Sequence, residues 1–170
     1  MADPETPASA PAFDDERGSR VAVICASPAE HDTMAQAGAL LARFGVSYDE
    51  TVLSPHRAPR ALADWMAELE PRGVEVVIAG SAGSAALAGV VAAHTTLPVI
   101  GVPLSGGGLD GRDALLGLTQ LPPGVPVAAV GIDNAMNAAV LAVQVLAVGD
   151  PLLRTRLWRF KDDFEKAARH

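Results

Sequence analysis

The sequence lacks the features that define several protein classes. It holds a single cysteine, Cys25, which excludes an internal disulfide framework and suits a reducing compartment, so we expect a cytoplasmic protein. No apolar run reaches about 18 residues, and no basic segment precedes an apolar stretch at the N-terminus, so neither a membrane span nor a secretory signal is expected. Asp and Glu number 20 against 13 Lys and Arg, and the resulting net charge of −7 argues against a nucleic-acid partner.

Aromatic residues are also scarce, at 4%, and charged residues make up only 19% of the chain. Small aliphatic residues dominate instead, and an apolar fraction of 49% predicts a large buried core. A length of 170 residues fits one domain. Residues 1–19 are rich in Pro, Ala and acidic residues and are expected to form a flexible tail, which leaves residues 20–170 for a single domain.

Short apolar runs alternate with segments of helical periodicity along the rest of the chain. The predicted strands cover residues 21–26, 46–53, 74–80, 98–102 and 125–132. The predicted helices cover residues 30–44, 59–70, 84–93, 113–119, 134–148 and 151–168. This repetition predicts an α/β fold in three layers, with a parallel sheet of about five strands between helices and an amphipathic C-terminal helix. Ligands of such sheets bind beyond the carboxyl ends of the strands, so the residues after each strand form the candidate site.

Polar side chains suited to chemistry follow the first two predicted strands. Ser27 leads into a helix N-terminus, where it either helps to hold an anion or caps the helix. His56 and Arg57 lie between two prolines that restrict the backbone. Histidine transfers protons near neutral pH and arginine binds phosphate or carboxylate, so this pair is the stronger candidate, the alternative being a solvated surface pair.

Small residues follow the third and fourth strands. The stretch 79–89 (AGSAGSAALAG) is either an anion cradle or a place of tight helix-sheet packing, and it does not match a dinucleotide-binding motif. The stretch 103–111 contains three successive glycines and forms either a flexible lid near the ligand or a plain mobile loop. After the fifth strand, Asp133 and Asn134 are expected near the crevice.

The remaining candidates for chemistry are expected to be structural. His94 precedes a strand, which puts it at the opposite edge of the sheet. Cys25 ends a buried strand, where a small core side chain is favoured over a nucleophile. No His, Cys and carboxylate residues have the spacing of metal ligands, so we expect no metal and no cofactor.

Five segments resemble the PurE family, the aminoimidazole ribonucleotide carboxylases and mutases of purine synthesis. In order, they are SPHRAP (54–59), VVIAGSAGSAALAG (76–89), TTLPVIGVP (95–103), QLPPGVPVA (120–128) and NAAVLAVQVL (137–146), within a resemblance that extends from Val21 to about Leu157. The resemblance implies a flavodoxin-like domain and a homo-octamer whose sites are shared between subunits. It also implies that CO2 is moved, added or removed at C4 of an aminoimidazole ribonucleotide, without metal, biotin or ATP.

The resemblance assigns roles to individual residues. His56 matches the histidine that shuttles the proton and is the candidate catalytic residue, and Arg57 matches the arginine that contacts phosphate. The candidate substrate- and phosphate-binding residues are Ser27, Glu30, Ser54, Arg57, Gly80, Ser81, Gly83, Ser84 and Ser105. The implied partners are a heteroaromatic, nucleotide-like small molecule, CO2 and further copies of the chain.

Two loops depart from the pattern of the family. The family's first loop resembles Gly-Ser-x-Ser-Asp, whereas this chain has Ala29 and Glu30 at the last two positions, and Ala86 stands where the family has a second active-site histidine. Each change alters a hydrogen-bonding group, so we expect weakened binding of aminoimidazole ribonucleotides. Three functions stay open: the purine-pathway mutase, a paralogue that carboxylates or decarboxylates another heteroaromatic acid, and a non-catalytic oligomeric binding protein, against which the presence of His56 argues.

Overall fold

The computed structural model describes residues 18–168, in which strands and helices alternate until the last helix. The strands are β1 (Val21–Cys25), β2 (Tyr48–Val52), β3 (Val76–Ala82), β4 (Val99–Leu104) and β5 (Ala128–Ala129). The helices are α1 (His31–Arg43), α2 (Pro59–Leu69), α3 (Ala86–His94), α4 (Arg112–Thr119), α5 (Ala135–Leu146) and α6 (Pro151–Ala168), and a 3-10 turn (Pro28–Glu30) precedes α1. No helix between residues 18 and 168 is both long and apolar enough to cross a membrane.

The five strands form one parallel sheet in the order β2-β1-β3-β4-β5. The chain runs outward from β1 to β2 and then crosses back to β3 on the other side of β1, so the winding reverses between β1 and β3. Helices α1, α5 and α6 pack on one face of the sheet, and α2, α3 and α4 pack on the other. The predicted three-layer, flavodoxin-like α/β fold with a C-terminal helix is therefore confirmed.

Strand β3 shows why the sheet is stable between two helical layers. Val76 and Ile78 belong to the core shared with α1 and α5, and Val77 and Ala79 belong to the core shared with α2 and α3. All four are buried, as is typical of a parallel strand covered on both faces. Because full burial of a valine or isoleucine contributes about 1.5–3 kcal/mol, these alternating contacts hold both helical layers on the strand.

The fifth strand is much shorter than predicted. Residues 125–132 were expected to pair throughout, but only Ala128 and Ala129 do so. Pro126 has no N–H group with which to pair. Pro103 of β4 also lacks one, so its carbonyl accepts the N–H of Asp133 at 2.9 Å but its nitrogen donates no hydrogen bond to this segment. The missing donors leave this edge held by single hydrogen bonds rather than by a continuous ladder.

Two central strands extend further than predicted. The expected ends were Gly80 for β3 and residue 102 for β4, but the two strands pair with each other as far as Ala82 and Leu104. Both extensions pass the end of β1, whose last residue pairs with Gly80. The extension carries Ser81 within the sheet and changes which groups are free at the carboxyl edge.

The described chain begins at the amino end of the sheet. The flexible tail expected over residues 1–19 lies outside the described residues as far as residue 17. The carbonyl of Gly18 accepts a hydrogen bond from Ser47 Oγ at 2.8 Å, and Ser19 Oγ donates to Asp49 Oδ1 at 2.6 Å. These bonds tie the start of the described chain to the beginning of β2, away from the carboxyl edge.

Candidate functional site

The carboxyl ends of the strands hold the candidate residues, and the crevice of such a fold lies where the winding reverses. Here that position lies between β1 and β3. Within the described part of the chain, three residues other than glycine have a positive φ: Ala85 (+47°), Asp110 (+50°) and Asp133 (+56°). All three lie in the loops after β3, β4 and β5. Strained backbone that collects at one edge of a sheet is a mark of a functional site.

The first loop is held by the carboxylate of Glu30. Glu30 Oε2 accepts the N–H of Ser27 at 2.8 Å, and Oε1 accepts the N–H of Ala82 at the end of β3, also at 2.8 Å. The Ser27 carbonyl in turn accepts the Cys25 thiol at 3.3 Å and the Glu30 N–H at 3.1 Å. Ser27 is therefore fixed through both of its peptide groups, directly beside β3.

The second loop presents His56 and Arg57 above the edge strand β2. The turn begins at Ser54, whose Oγ accepts the N–H of Arg57 at 3.3 Å and whose carbonyl accepts the N–H of Ala58 at 2.9 Å. Arg57 Nη2 donates to the carbonyl of Ala26 at 3.3 Å, which ties this loop to the first. The His56 side chain is exposed and makes no hydrogen bond or ion pair to any other residue between 18 and 168. Its ring is therefore available to a ligand.

The third loop combines tight packing with open space. A Cβ on Gly80 would overlap the sulfur of Met34, so this glycine makes room for α1 rather than for a ligand. Ser81 is buried at 4% exposure, and its Oγ has no hydrogen-bond partner among residues 18–168. Gly83 has a φ of +64° with nothing close to the position of a Cβ, and Ser84 beyond it is exposed. Gly83 and Ser84 are thus the members of this loop that a ligand can reach.

The fourth and fifth loops are joined by one carboxylate. Asp133 Oδ1 accepts the N–H of Ser105 at 2.8 Å, and Oδ2 accepts the Ser105 hydroxyl at 2.5 Å. Next to Ser105, a Cβ on Gly106 would lie 3.1 Å from the Cβ of Ala82, so the fourth loop passes close to the third. Ser105 is exposed, but its hydroxyl proton is directed to Asp133, which leaves its oxygen lone pairs for a ligand.

Hydrogen bonds therefore join neighbouring loops at three places along the carboxyl edge. Arg57 joins the loops of β2 and β1, Glu30 joins those of β1 and β3, and Asp133 joins those of β4 and β5. His94 lies outside this arrangement, as expected, and its Nδ1 is 2.8 Å from the carbonyl of Val90. Among residues 18–168, no three His, Cys, Asp or Glu side chains are grouped so as to hold a metal ion.

Cys25 lies under the first loop and is buried. Burial, with a smaller contribution from the nearby negative charge of Glu30, raises the pKa of its thiol to about 11. Few thiolates exist at neutral pH under these conditions, so the residue is poorly suited to nucleophilic chemistry. Its thiol instead positions Ser27 through the hydrogen bond to the carbonyl of that residue.

Three contacts at this edge were not predicted from the sequence. The bond of Glu30 to the Ser27 N–H has a local signal, since Ser27-x-x-Glu30 is a capping-box pattern. The bond of Glu30 to Ala82 spans 52 positions and has no local signal. The pairing of Asp133 with Ser105 is likewise long-range, although the fold prediction placed both residues at the same edge.

The sequence matches a known protein family and several of its members. The family model described as AIR carboxylase matches residues 20–167. An N5-carboxyaminoimidazole ribonucleotide mutase of Mycobacterium tuberculosis (strain H37Rv) is 48% identical over 143 residues, which cover 84% of this chain and 82% of the relative. The protein of that name from Pyrococcus abyssi is 43% identical over 147 residues, covering 86% and 84%. That from Saccharolobus solfataricus is 44% identical over 144 residues, covering 85% and 91%.

A solved structure supports the fold independently. The crystal structure of Treponema denticola PurE superposes with a TM-score of 0.81 over 87% of this chain and 92% of that chain. The sequence identity of the pair is 20%, so this likeness concerns the fold.

Proposed function

The chain belongs to the AIR carboxylase family, and on that premise we propose that it is an N5-carboxyaminoimidazole ribonucleotide mutase, an enzyme of purine biosynthesis. One observation supports the assignment most directly. His56 follows β2 at the ligand edge of the sheet, next to Arg57, and its exposed ring is free to meet a substrate. Relatives that are 41–48% identical to this chain carry the name of this activity.

The reaction needs a group that moves one proton. CO2 leaves the exocyclic nitrogen N5 of the substrate as the carbamate C–N bond breaks, and a new C–C bond forms at C4 of the imidazole. C4 must then lose its proton, and the nitrogen must gain one. A histidine that accepts the C4 proton and returns it to the nitrogen balances the reaction, and His56 takes this role.

The other candidate residues bind the nucleotide. Arg57 donates one N–H to the carbonyl of Ala26, and the other N–H groups of its guanidinium bind the phosphate group. Ser27 and Ser54 face the same crevice from the loops of β1 and β2. Gly83, Ser84 and Ser105 complete its wall from the loops of β3 and β4, whereas Gly80 and Ser81 lie within β3 and support this wall from below, and Glu30 holds the first loop in place.

The assembly and location follow from the same proposal. Further copies of the chain, eight in all by family resemblance, complete the sites, and the enzyme works in the cytoplasm, where purine nucleotides are made. The partners are a nucleotide-like heteroaromatic substrate and CO2. Residues 20–170 act as one domain in this proposal.

A second candidate function rests on Ala86, the first residue of α3. The family pattern has a histidine at this position, and alanine supplies neither a hydrogen-bond donor nor an acceptor. A paralogue acting on a different heteroaromatic acid would be explained by this change together with Ala29. A non-catalytic binding protein would explain the change as well, but it would have no use for His56.

The deciding experiment measures conversion of N5-carboxyaminoimidazole ribonucleotide to its C4-carboxylated isomer by ultraviolet absorbance. The natural chain is compared with an Ala86→His variant and an Ala29→Ser variant. We expect turnover by the natural chain. If only the Ala86→His or Ala29→Ser variant converts the nucleotide, the natural chain is a paralogue with another substrate. If the natural chain and both variants bind the nucleotide without turnover, the chain is a non-catalytic binding protein.

A further inference from the structure

The carboxylate of Glu30 occupies the place where the winding of the sheet reverses. β3 continues two residues beyond Gly80, which pairs with the last residue of β1. The N–H of Ala82 thus lies beyond the end of β1, and Glu30 Oε1 accepts it at 2.8 Å. A buried or half-buried backbone N–H requires such a partner, so the carboxylate continues the sheet where β1 has stopped.

The same carboxylate holds the first loop. Its second oxygen, Oε2, accepts the N–H of Ser27 at 2.8 Å. One side chain therefore binds two main-chain donors from opposite sides of the crevice. The carboxylate group therefore links Ser27 to Ala82, each of which lies two residues beyond the paired residues Cys25 and Gly80.

We infer that Glu30 is a positioning residue that fixes the width of the crevice between β1 and β3, and that it acts on the substrate through Ser27 and Ala82 rather than by binding a substrate hydroxyl. The family pattern has an aspartate here, and an aspartate is one methylene shorter. From the same backbone position we expect the shorter side chain to reach only one of the two donors, whereas the Glu30 carboxylate reaches both. This inference rests on the proposed function for the identity of the substrate.

The first test needs no substrate. Amide hydrogen exchange of the ligand-free protein is measured by mass spectrometry for Ser27 and Ala82 in the natural chain, in Glu30→Gln and in Glu30→Asp. A hydrogen bond to a charged acceptor stabilises strongly, so we expect exchange of at least one of the two amides to accelerate about 10-fold or more in both variants. Asp32→Asn is the matched control, because the Asp32 side chain is fully exposed and, among residues 18–168, pairs only with the His31 ring, at 3.7 Å. Unchanged exchange in both Glu30 variants would overturn the inference.

The second test separates positioning from direct binding. The KM for carboxyaminoimidazole ribonucleotide is compared with the KM for its 2′-deoxy and 3′-deoxy analogues, in the natural chain and in Glu30→Gln. A positioning role predicts the same fold-increase in KM, about 10-fold, for all three nucleotides. A direct bond from Glu30 to a ribose hydroxyl predicts that the increase disappears for one deoxy analogue, and that result would overturn the inference.

The two tests also separate this inference from the proposed function. If the natural chain neither binds nor converts the ribonucleotide, the proposed function fails, and the exchange measurement alone decides whether Glu30 is the bridge. If the ribonucleotide is converted but the exchange rates do not change, the proposed function stands and the inference fails.

Discussion

Three charged side chains at the carboxyl edge of the sheet form hydrogen bonds with main-chain groups. Glu30 accepts two backbone N–H groups, Asp133 accepts that of Ser105, and Arg57 donates to a carbonyl. These bonds shape the loops before any ligand arrives. His56 differs from them, because its ring has no such bond within residues 18–168, and a proton-transfer group must be free to meet its substrate.

Replacement of His56 tests its role. We expect His56→Asn to fold and assemble normally, because the side chain is exposed, and to lose about 10²–10⁴-fold in kcat, the usual contribution of a positioned acid-base group. Initial rates with N5-carboxyaminoimidazole ribonucleotide provide the measurement. His94→Asn is the control at the opposite edge and should keep its activity. Retention of most activity by His56→Asn would show that another group moves the proton.

The Cys25 thiol should resist alkylation in the folded protein. Its pKa rises from the ordinary 9.0 to about 11 through burial, which lowers the thiolate fraction at pH 8 by about 100-fold. Iodoacetamide labelling at pH 8, followed by mass spectrometry, should therefore be at least about 100-fold slower in the native protein than in urea. Labelling at the rate of an unfolded thiol would mean that the first loop opens readily and exposes Cys25.

At the scale of the elements, Asp150 joins α6 to the start of β1. Its Oδ1 accepts the N–H groups of Leu152 and Leu153 at 3.0 and 3.1 Å, and its Oδ2 pairs with Arg20 at 3.1 Å. The bond from Leu153 is the main reason why the pKa of Asp150 is lowered, and Arg20 lowers it further. The charged form of Asp150 is therefore the one that stabilises the fold.

Asp150 caps the N-terminus of α6, and removal of its side chain should destabilise the fold more at neutral pH than in acid. Asp150→Ala should lower the free energy of unfolding by about 0.5–2 kcal/mol at pH 7, and Asp150→Asn by less, because asparagine also caps helices. Because the folded-state pKa is depressed, the stabilisation is present above the ordinary value of 3.8 and disappears as the pH falls through the lowered one. Thermal unfolding at pH 7, 5 and 3 checks this, and a difference between the natural chain and Asp150→Ala that grows in acid would contradict it.

A second prediction at this scale concerns the packing of α1 on β3. A Cβ on Gly80 would overlap the sulfur of the buried Met34, so Gly80→Ala should destabilise the fold by about 1–3 kcal/mol. Met34→Ala alone should cost about 2–5 kcal/mol through the cavity that it leaves. The double variant should cost at least about 1 kcal/mol less than the sum, because the new methyl group fills part of that cavity. Additive costs in urea unfolding would mean that the two residues do not compete for the same space.

The order of the elements was predictable because each helix and strand has a local signal. Helix α6 begins at Pro151 and ends at Ala168, as its amphipathic pattern predicted. The length of β5 was not predictable in this way, because it depends on Pro103 in a neighbouring strand as well as on Pro126 within the segment itself. Strand pairing depends on the sequences of both strands, so the sequence of one strand alone does not predict how many of its residues will pair.

The candidate site was likewise predictable in its position but not in its hydrogen bonds. Its place was predictable, because parallel strands bring their carboxyl ends to one edge, and Ser27, His56 and Ser105 all lie there. The partners of Glu30 and Asp133 were not, since each bond joins loops that are far apart in sequence. Topology thus predicts which loops lie at the same edge of the sheet, whereas the hydrogen-bond partners within that edge depend on the exact length and spacing of the loops.

At the scale of the whole molecule, a single subunit leaves apolar side chains in solvent. Val148, Leu152 and Trp158, near the junction of α5 and α6, are 79%, 60% and 64% exposed. Met136 in α5 is also exposed, on a helix whose sequence is apolar almost all round. Exposed apolar surface of this kind is typical of a protein that binds further copies of itself or another partner.

Light scattering should therefore give a mass well above that of two subunits, and by family resemblance about eight times 17.4 kDa. His56 is exposed in the single subunit, and proton transfer during CO2 movement requires a pocket that excludes water, so we expect a neighbouring subunit to help to cover it. Specific activity should then fall in parallel with the mass when the enzyme is diluted. A monomeric mass at micromolar concentration would contradict the assembly, and full activity in diluted monomers would show that one subunit closes its own site.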